Sequence, residues 1–242
     1  RPPRSTPLYS SAASDVYKTQ EYSADFPRYL SDELQAVFGK EYLSFFGAGA
    51  CGDINHIDVT VKGRRSAGEI GKLLAETVRG GISKLGAVKQ PSLAVRRAEV
   101  VVPLQRYSKE EVEKARKEME LVGSNKLPFL QRVKAYKIMA LQLRKADTIA
   151  LEVQAFRLSP ELEIVSLPGL VFVELGLAIK KASPFRNTLV IELVNDAPGY
   201  IPTRKAFTEG SYETVNSRVQ SGGGEAMVET AIGLLKDLAR AR

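Results

Sequence analysis

The chain has 242 residues, 44% of them hydrophobic, and a formal charge of +7 from 35 Lys and Arg against 28 Asp and Glu. That length and composition suit a globular protein with a substantial core, and no apolar run approaches the roughly 20 residues that a membrane-spanning helix needs. The cations are interleaved with acids and no basic stripe carries regular aromatics, which argues against nucleic-acid binding; one Cys excludes an internal disulfide, and one Cys with one His cannot build a structural zinc site.

Residues 1–21, with Pro2, Pro3, Pro7 and several Ser, have no apolar period and read as an irregular arm before a domain of residues 22–242. Leu30, Leu34, Val37 and Phe38 then repeat at helical spacing, with Gly39 as a stop, and predict a helix over 26–38. An apolar strand over 42–46 follows and leads into a glycine-rich loop.

That loop, within residues 45–58, gathers the only Cys (Cys51), the only His (His56) and the carboxylates Asp53 and Asp58. Strand ends are where α/β proteins display reactive groups, so the loop is a candidate site. It lacks the Gly-Lys-Ser/Thr ending of a phosphate-binding loop and the Gly-x-Gly-x-x-Gly dinucleotide fingerprint. Three readings stay open: a tight turn in which Asp53 and Asn55 bond the backbone, a catalytic loop, and a thiol hydrolase with Cys51 as nucleophile and His56 as its base.

Ser66 and Glu69 form a capping-box pattern ahead of Ile70, Leu73, Leu74, Val78, Ile82 and Leu85, which predicts a core helix ending at Gly86. Residues 93–104 are β-rich. Ser108 and Glu111 open a second capped helix, and residues 127–145 form a basic helix after the Gly123-Ser124-Asn125 break, so the two read as a helical hairpin inserted between strands. Strands over 148–158 and 162–167, a helix over 171–182 and a strand over 188–194 follow. A long polar loop to Gly224 precedes a closing helix over 225–238. The alternation predicts an α/β fold, a layered sheet with flanking helices and the inserted hairpin.

Three landmarks in this order, the Gly52-Asp53-Ile54 turn, the Leu167-Pro168-Gly169 junction, and the loop from Tyr200 to Tyr212-Glu213, resemble the catalytic domain of the neutral/alkaline non-lysosomal ceramidase family. The resemblance covers most of the chain after residue 22. It implies a zinc-dependent amidohydrolase that cleaves the amide bond of a small amphipathic N-acyl substrate of the ceramide type, in an exported or membrane-peripheral setting. Carried over residue by residue, it makes Tyr200 a metal ligand and Tyr212 the donor to the developing oxyanion. It puts Asn55 where the family has its serine, followed by His56 in place of a proline, and Leu170 where the family has its glutamate ligand.

Glu174, one turn beyond Leu170 on a shared helix, reads either as a substitute carboxylate or as a solvent-facing salt-bridge residue, and His56 either as a substitute ligand or base or as a hydrogen-bonded loop histidine. Gly52, Asp53 and Arg204 are the matching substrate-binding candidates, Arg204 adding positive potential beside the tyrosines. The family's two zinc histidines lie upstream of the Gly-Asp turn, and no His precedes residue 52 here. The resemblance therefore implies an incomplete zinc set, zinc that this chain alone does not retain, and an alternative function as a non-catalytic ligand- or partner-binding descendant of the fold.

Overall fold

The computed structural model describes residues 23–55, 63, 65–124 and 126–241. The chain divides into two compact units, Arg1–Gly47 with Asn55–Val88 and Ala48–Ile54 with Lys89–Arg242, each taken here through its described residues. The arm expected over residues 1–21 lies outside the described residues.

The smaller unit is built on two helices, α1 (Asp25–Phe38) and α2 (Ala67–Ile82). The capping box at Ser66 and Glu69 forms as the sequence predicts: the Ser66 hydroxyl accepts the Glu69 N–H and the Glu69 carboxylate accepts the Ser66 N–H. The buried face of α2 differs from the expected one. Gly71 and Ala75 face α1, where Leu30 and Leu34 are buried, while Leu73, Leu74 and Val78 remain exposed. The reason is proximity: a Cβ at Gly71 would stand 2.7 Å from the Leu30 nitrogen, so the helices cross where α2 has no side chain.

The strand expected over 42–46 does not form. Leu43 and Phe45 are 73% and 93% exposed, and the segment has no ladder partner among the described residues. A short apolar run alone does not make a strand, because pairing and packing on a face supply its stability.

The larger unit carries a four-stranded sheet in the order β1-β2-β3-β5, from β1 (Ala94–Pro103), β2 (Thr148–Ser159), β3 (Leu162–Ser166) and β5 (Asn187–Ile191). The first two pairings are antiparallel and β3 with β5 is parallel. Helices α3 (Lys109–Glu120) and α4 (Phe129–Leu143) form the expected hairpin between β1 and β2, and Ser108 with Glu111 caps α3. Helix α5 (Val173–Ala182) crosses from β3 to β5, and the closing helix α8 (Gly223–Arg240) lies over β1 and β2.

Ile149, Leu151, Val153 and Ala155 alternate inward along β2 and pack with Met227, Ala231, Leu235 and Leu238 of α8. A second, two-stranded parallel sheet joins β4 (Leu170–Val171) to β6 (Tyr200–Ile201), followed by the short helices α6 (Arg204–Glu209) and α7 (Tyr212–Asn216). The α/β class is as the sequence predicts.

One carboxylate in this core has a measurable consequence. Glu163 on β3 is fully buried opposite Arg157 of β2, whose guanidinium donates to the Leu238 and Ala241 carbonyls at the end of α8. Burial pushes its carboxyl up to about 8 from 4.5, with Arg157 opposing the rise. The folded state thus keeps a proton that the unfolded chain releases above about 4.5, so the Glu163 contribution to stability is complete below that pH and falls as pH rises to about 8. Glu163→Gln should flatten this part of the pH profile in chemical denaturation at pH 5 and pH 8; an unchanged fall in the variant would assign it to other groups.

Candidate functional site

The junction Leu167-Pro168-Gly169 ends β3 and turns the chain into β4. Gly169 has φ of 81°, a left-handed conformation, and a Cβ there would meet the Gly199 carbonyl oxygen at 2.7 Å, so glycine is required on both counts. The Leu170 N–H then donates to Gly199 O and the Phe172 N–H to Ile201 O. This register sets Leu170 directly opposite Tyr200. The metal-ligand positions implied by the resemblance are therefore cross-strand neighbours, although 30 residues separate them.

Leu170 belongs to β4, and α5 begins only at Val173, which removes the shared helix on which Glu174 was to replace it. Glu174 lies exposed in the first turn of α5, whose buried side is Leu175, Gly176 and Ile179.

The turn at residues 51–53 packs against the same strand. The Gly52 N–H donates to Val171 O at 2.8 Å, and a Cβ on Gly52 would fall against the Leu170 carbonyl. Asp53 Oδ1 accepts the Val173 N–H at 2.7 Å, placing a carboxylate at the start of α5, where the helix dipole favours negative charge. Gly52 and Asp53 thus meet Leu170 and Tyr200 around one short strand. Asn55 belongs to the smaller unit, and His56 and Asp58 lie outside the described residues.

Glu192, just beyond β5, is the residue that the sequence reading missed. It is buried, and its carboxylate accepts the Val171 N–H at 2.6 Å, the Cys51 N–H at 3.3 Å and the Cys51 thiol at 3.1 Å. Burial raises its carboxyl above the ordinary range, opposed by these bonds. One carboxylate thereby ties β4 to the Gly52 turn. An acid set in the apolar run Leu189-Val190-Ile191-Glu192-Leu193 was the available signal.

Burial and then Glu192 push the Cys51 thiol up to about 12, the reverse of what a thiolate nucleophile needs. The geometry gives the thiol a donor's part in this network and does not favour the thiol-hydrolase reading.

Tyr200 is 7% exposed, and burial, with Tyr212, Glu213 and Glu192 nearby, raises its phenol above the ordinary value. Tyr212 meets it edge-on, with ring centroids 5.7 Å apart, and lies against Phe129 of α4 at 5.8 Å. The Tyr212 hydroxyl accepts a hydrogen bond from Asn216 Nδ2 at 3.2 Å. Arg204 is placed differently: its side chain is 65% exposed and paired at 3.9 Å with Glu225 of α8, with its guanidinium beside Gly222.

The donor chemistry bears on zinc. Tyr200 offers one oxygen, Leu170 offers none, and the Glu192 carboxylate is engaged by two N–H groups and a thiol. No group of three or more His, Cys, Asp or Glu that could hold a metal occurs among the described residues. These residues alone do not fit the three or four protein ligands of a zinc centre, so no chemical step is derived through zinc.

No protein-family model and no curated protein matches the chain. Solved structures do. The neutral ceramidase from Pseudomonas aeruginosa superposes with a TM-score of 0.63 at 16% identity, over 97% of this chain and 43% of that one. A ceramidase complexed with C2 gives a TM-score of 0.66 at 14% identity, over 97% and 45%. The fold is therefore ceramidase-like, and the chain spans less than half the length of these proteins. No helix among the described residues is long and apolar enough to cross a membrane.

Proposed function

We propose that this chain carries the tyrosine side of a ceramidase-like amidohydrolase site, which cleaves an amide joining a fatty acyl chain to an amphipathic amine. The observation that carries the reading is the juxtaposition of Leu170, Tyr200 and Tyr212 on β4, β6 and α7, in a fold shared with two ceramidases. In the reaction, water adds to the amide carbonyl carbon, the C–N bond breaks, and the departing amine takes up a proton. The product pair is a carboxylic acid and a free amine.

Tyr212 is assigned the hydrogen bond to the oxyanion that forms as water adds. A phenol on a short helix braced by two other rings needs little reorganisation as that charge develops. Tyr200 and Leu170, paired across β4 and β6, wall the site. Among the described residues Tyr200 offers the one oxygen donor of the implied zinc set, and any zinc would need its other ligands from beyond them. The direct test is release of fatty acid from a short-chain N-acylsphingosine, with and without added zinc.

Leu170 favours a second reading, a descendant that binds the amphiphile without cleaving it. Saturable binding with no release of fatty acid would select it. The same residue gives a prediction about metal: the wild-type chain should lose zinc on dialysis, and Leu170→Glu should tighten zinc binding by about tenfold or more, by restoring an oxygen donor beside Tyr200. Equal zinc retention by both proteins in metal analysis after dialysis would remove Tyr200 and position 170 from the metal assignment.

A further inference from the structure

Gln105, in the segment between β1 and α3, is a junction between the helical hairpin and the tyrosine pair. Its Oε1 accepts from the Tyr107 hydroxyl at 2.8 Å and from Lys137 Nζ of α4 at 3.2 Å. Its Nε2 donates to the Thr214 carbonyl of α7 at 3.3 Å and to the Ser217 carbonyl at 2.9 Å. Both donors and both acceptor sites of the amide are therefore occupied. Its backbone N–H donates to Arg218 O, so main chain and side chain hold the same stretch.

The connection continues to Tyr200. Ser217 is fully buried, and its hydroxyl donates to the Tyr200 carbonyl at 2.9 Å. On the hairpin side, Lys137 is 7% exposed, with its ammonium 5.1 Å from the centre of the Tyr107 ring. Burial lowers its pKa to about 8, Lys134 adds to the fall and Glu111 opposes it. A lysine costs free energy to bury, so one held between an aromatic face and an amide oxygen fixes what it touches. Phe129, on the same helix, braces the Tyr212 ring.

We propose that Gln105 and Lys137 are positioning residues for Tyr212: the α3–α4 hairpin sets the place of α7, and hence of the phenol, through Lys137, Gln105 and the carbonyls of Thr214 and Ser217. The inference rests on the reading that Tyr212 serves the reaction, but the positioning itself can be observed without turnover. Loss of either residue moves the phenol relative to Tyr200. Gln105→Glu keeps the acceptors for Tyr107 and Lys137 but turns lone pairs toward the carbonyls of Thr214 and Ser217, so it cuts one side of the junction and spares the other.

The test is 19F NMR of the full chain with 3-fluorotyrosine at its nine tyrosine positions, the Tyr212 signal being identified by its loss in Tyr212→Phe. Gln105→Glu should shift that signal by more than its linewidth, and Lys137→Met should shift it in the same direction by less. Lys114→Met, which removes an ion pair with Glu118 on the hairpin surface, should leave it in place. If the signal stays put in the folded variants while their melting temperatures fall, both residues only stabilise local packing and the proposal is overturned. Should Gln105→Glu fail to fold, Lys137→Met alone decides by the same criterion. Turnover unaffected by Tyr212→Phe would instead remove Tyr212 from the reaction and leave the positioning result standing, and absence of turnover in the wild type would sink the amidohydrolase reading.

Discussion

Tyr212→Phe should reduce amide hydrolysis by about 100-fold to 1,000-fold, the usual cost of removing one donor to a developing oxyanion. The substitution removes a single hydroxyl. The ring keeps its edge-on contact with Tyr200 and its contact with Phe129, so the packing of α7 is preserved. Among the bonds lost within the fold is that from Asn216 Nδ2, a part-buried neutral bond of 3.2 Å worth about 1 kcal/mol.

Turnover and stability should therefore separate. The fall should appear in kcat and kcat/KM together, with KM little changed, because the hydroxyl acts on a charge that exists only in the transition state. Activity equal to wild type, with a lower melting temperature, would show that the phenol serves the loop alone.

The parts of this architecture that could be read in the sequence are those whose cause is local. Ser66 with Glu69 and Ser108 with Glu111 are capping boxes whose partners are three residues apart, and both form. The strands β2 and β3 and helix α8 follow from period alone, since each has one buried face. Even the short helices in the long polar loop had their signals in Thr203 and Ser211, whose side chains accept the N–H groups of Ala206 and Thr214.

What depends on a distant partner was not legible. Residues 42–46 read as an apolar strand but have no ladder partner among the described residues, and Leu170 reads as the start of a helix until Tyr200 pairs with it. The bond between Cys51 and Glu192 spans 141 residues, and that between Lys137 and Gln105 joins a helix to a loop. Neither has a pattern in one window of sequence. The site candidates divide the same way: Gly52, Asp53, Tyr200 and Tyr212 are named from ordered motifs, whereas the apolar run around Glu192 marks it only as an unusual acid, and its hold on Gly52's turn and β4 is visible only in the fold.

That tie makes Gly52 the most sensitive position in the turn. Gly52→Ala should destabilise the protein by about 3 kcal/mol, the upper part of the range for forcing a methyl group into a packed interior. The added Cβ would lie 2.7 Å from the Leu170 carbonyl carbon and 3.1 Å from that of Val171, both of them backbone atoms. Neither can turn aside as a flexible side chain would. Leu170 is fixed by its N–H bond to Gly199 O, Val171 by its N–H bond to Glu192, and the turn itself by the Gly52 N–H bond to Val171 O.

Relief must come from displacing the turn, which would strain both Cys51 bonds to Glu192 and the Asp53 cap on α5. Gly49→Ala is the matched control: its nearest neighbour, Val190 O, would lie at an ordinary 3.8 Å, so that variant should melt close to wild type. Denaturant titration of the two variants decides the matter, and equal stability would mean that the turn yields freely and that the Gly52 contact is not what fixes it to β4.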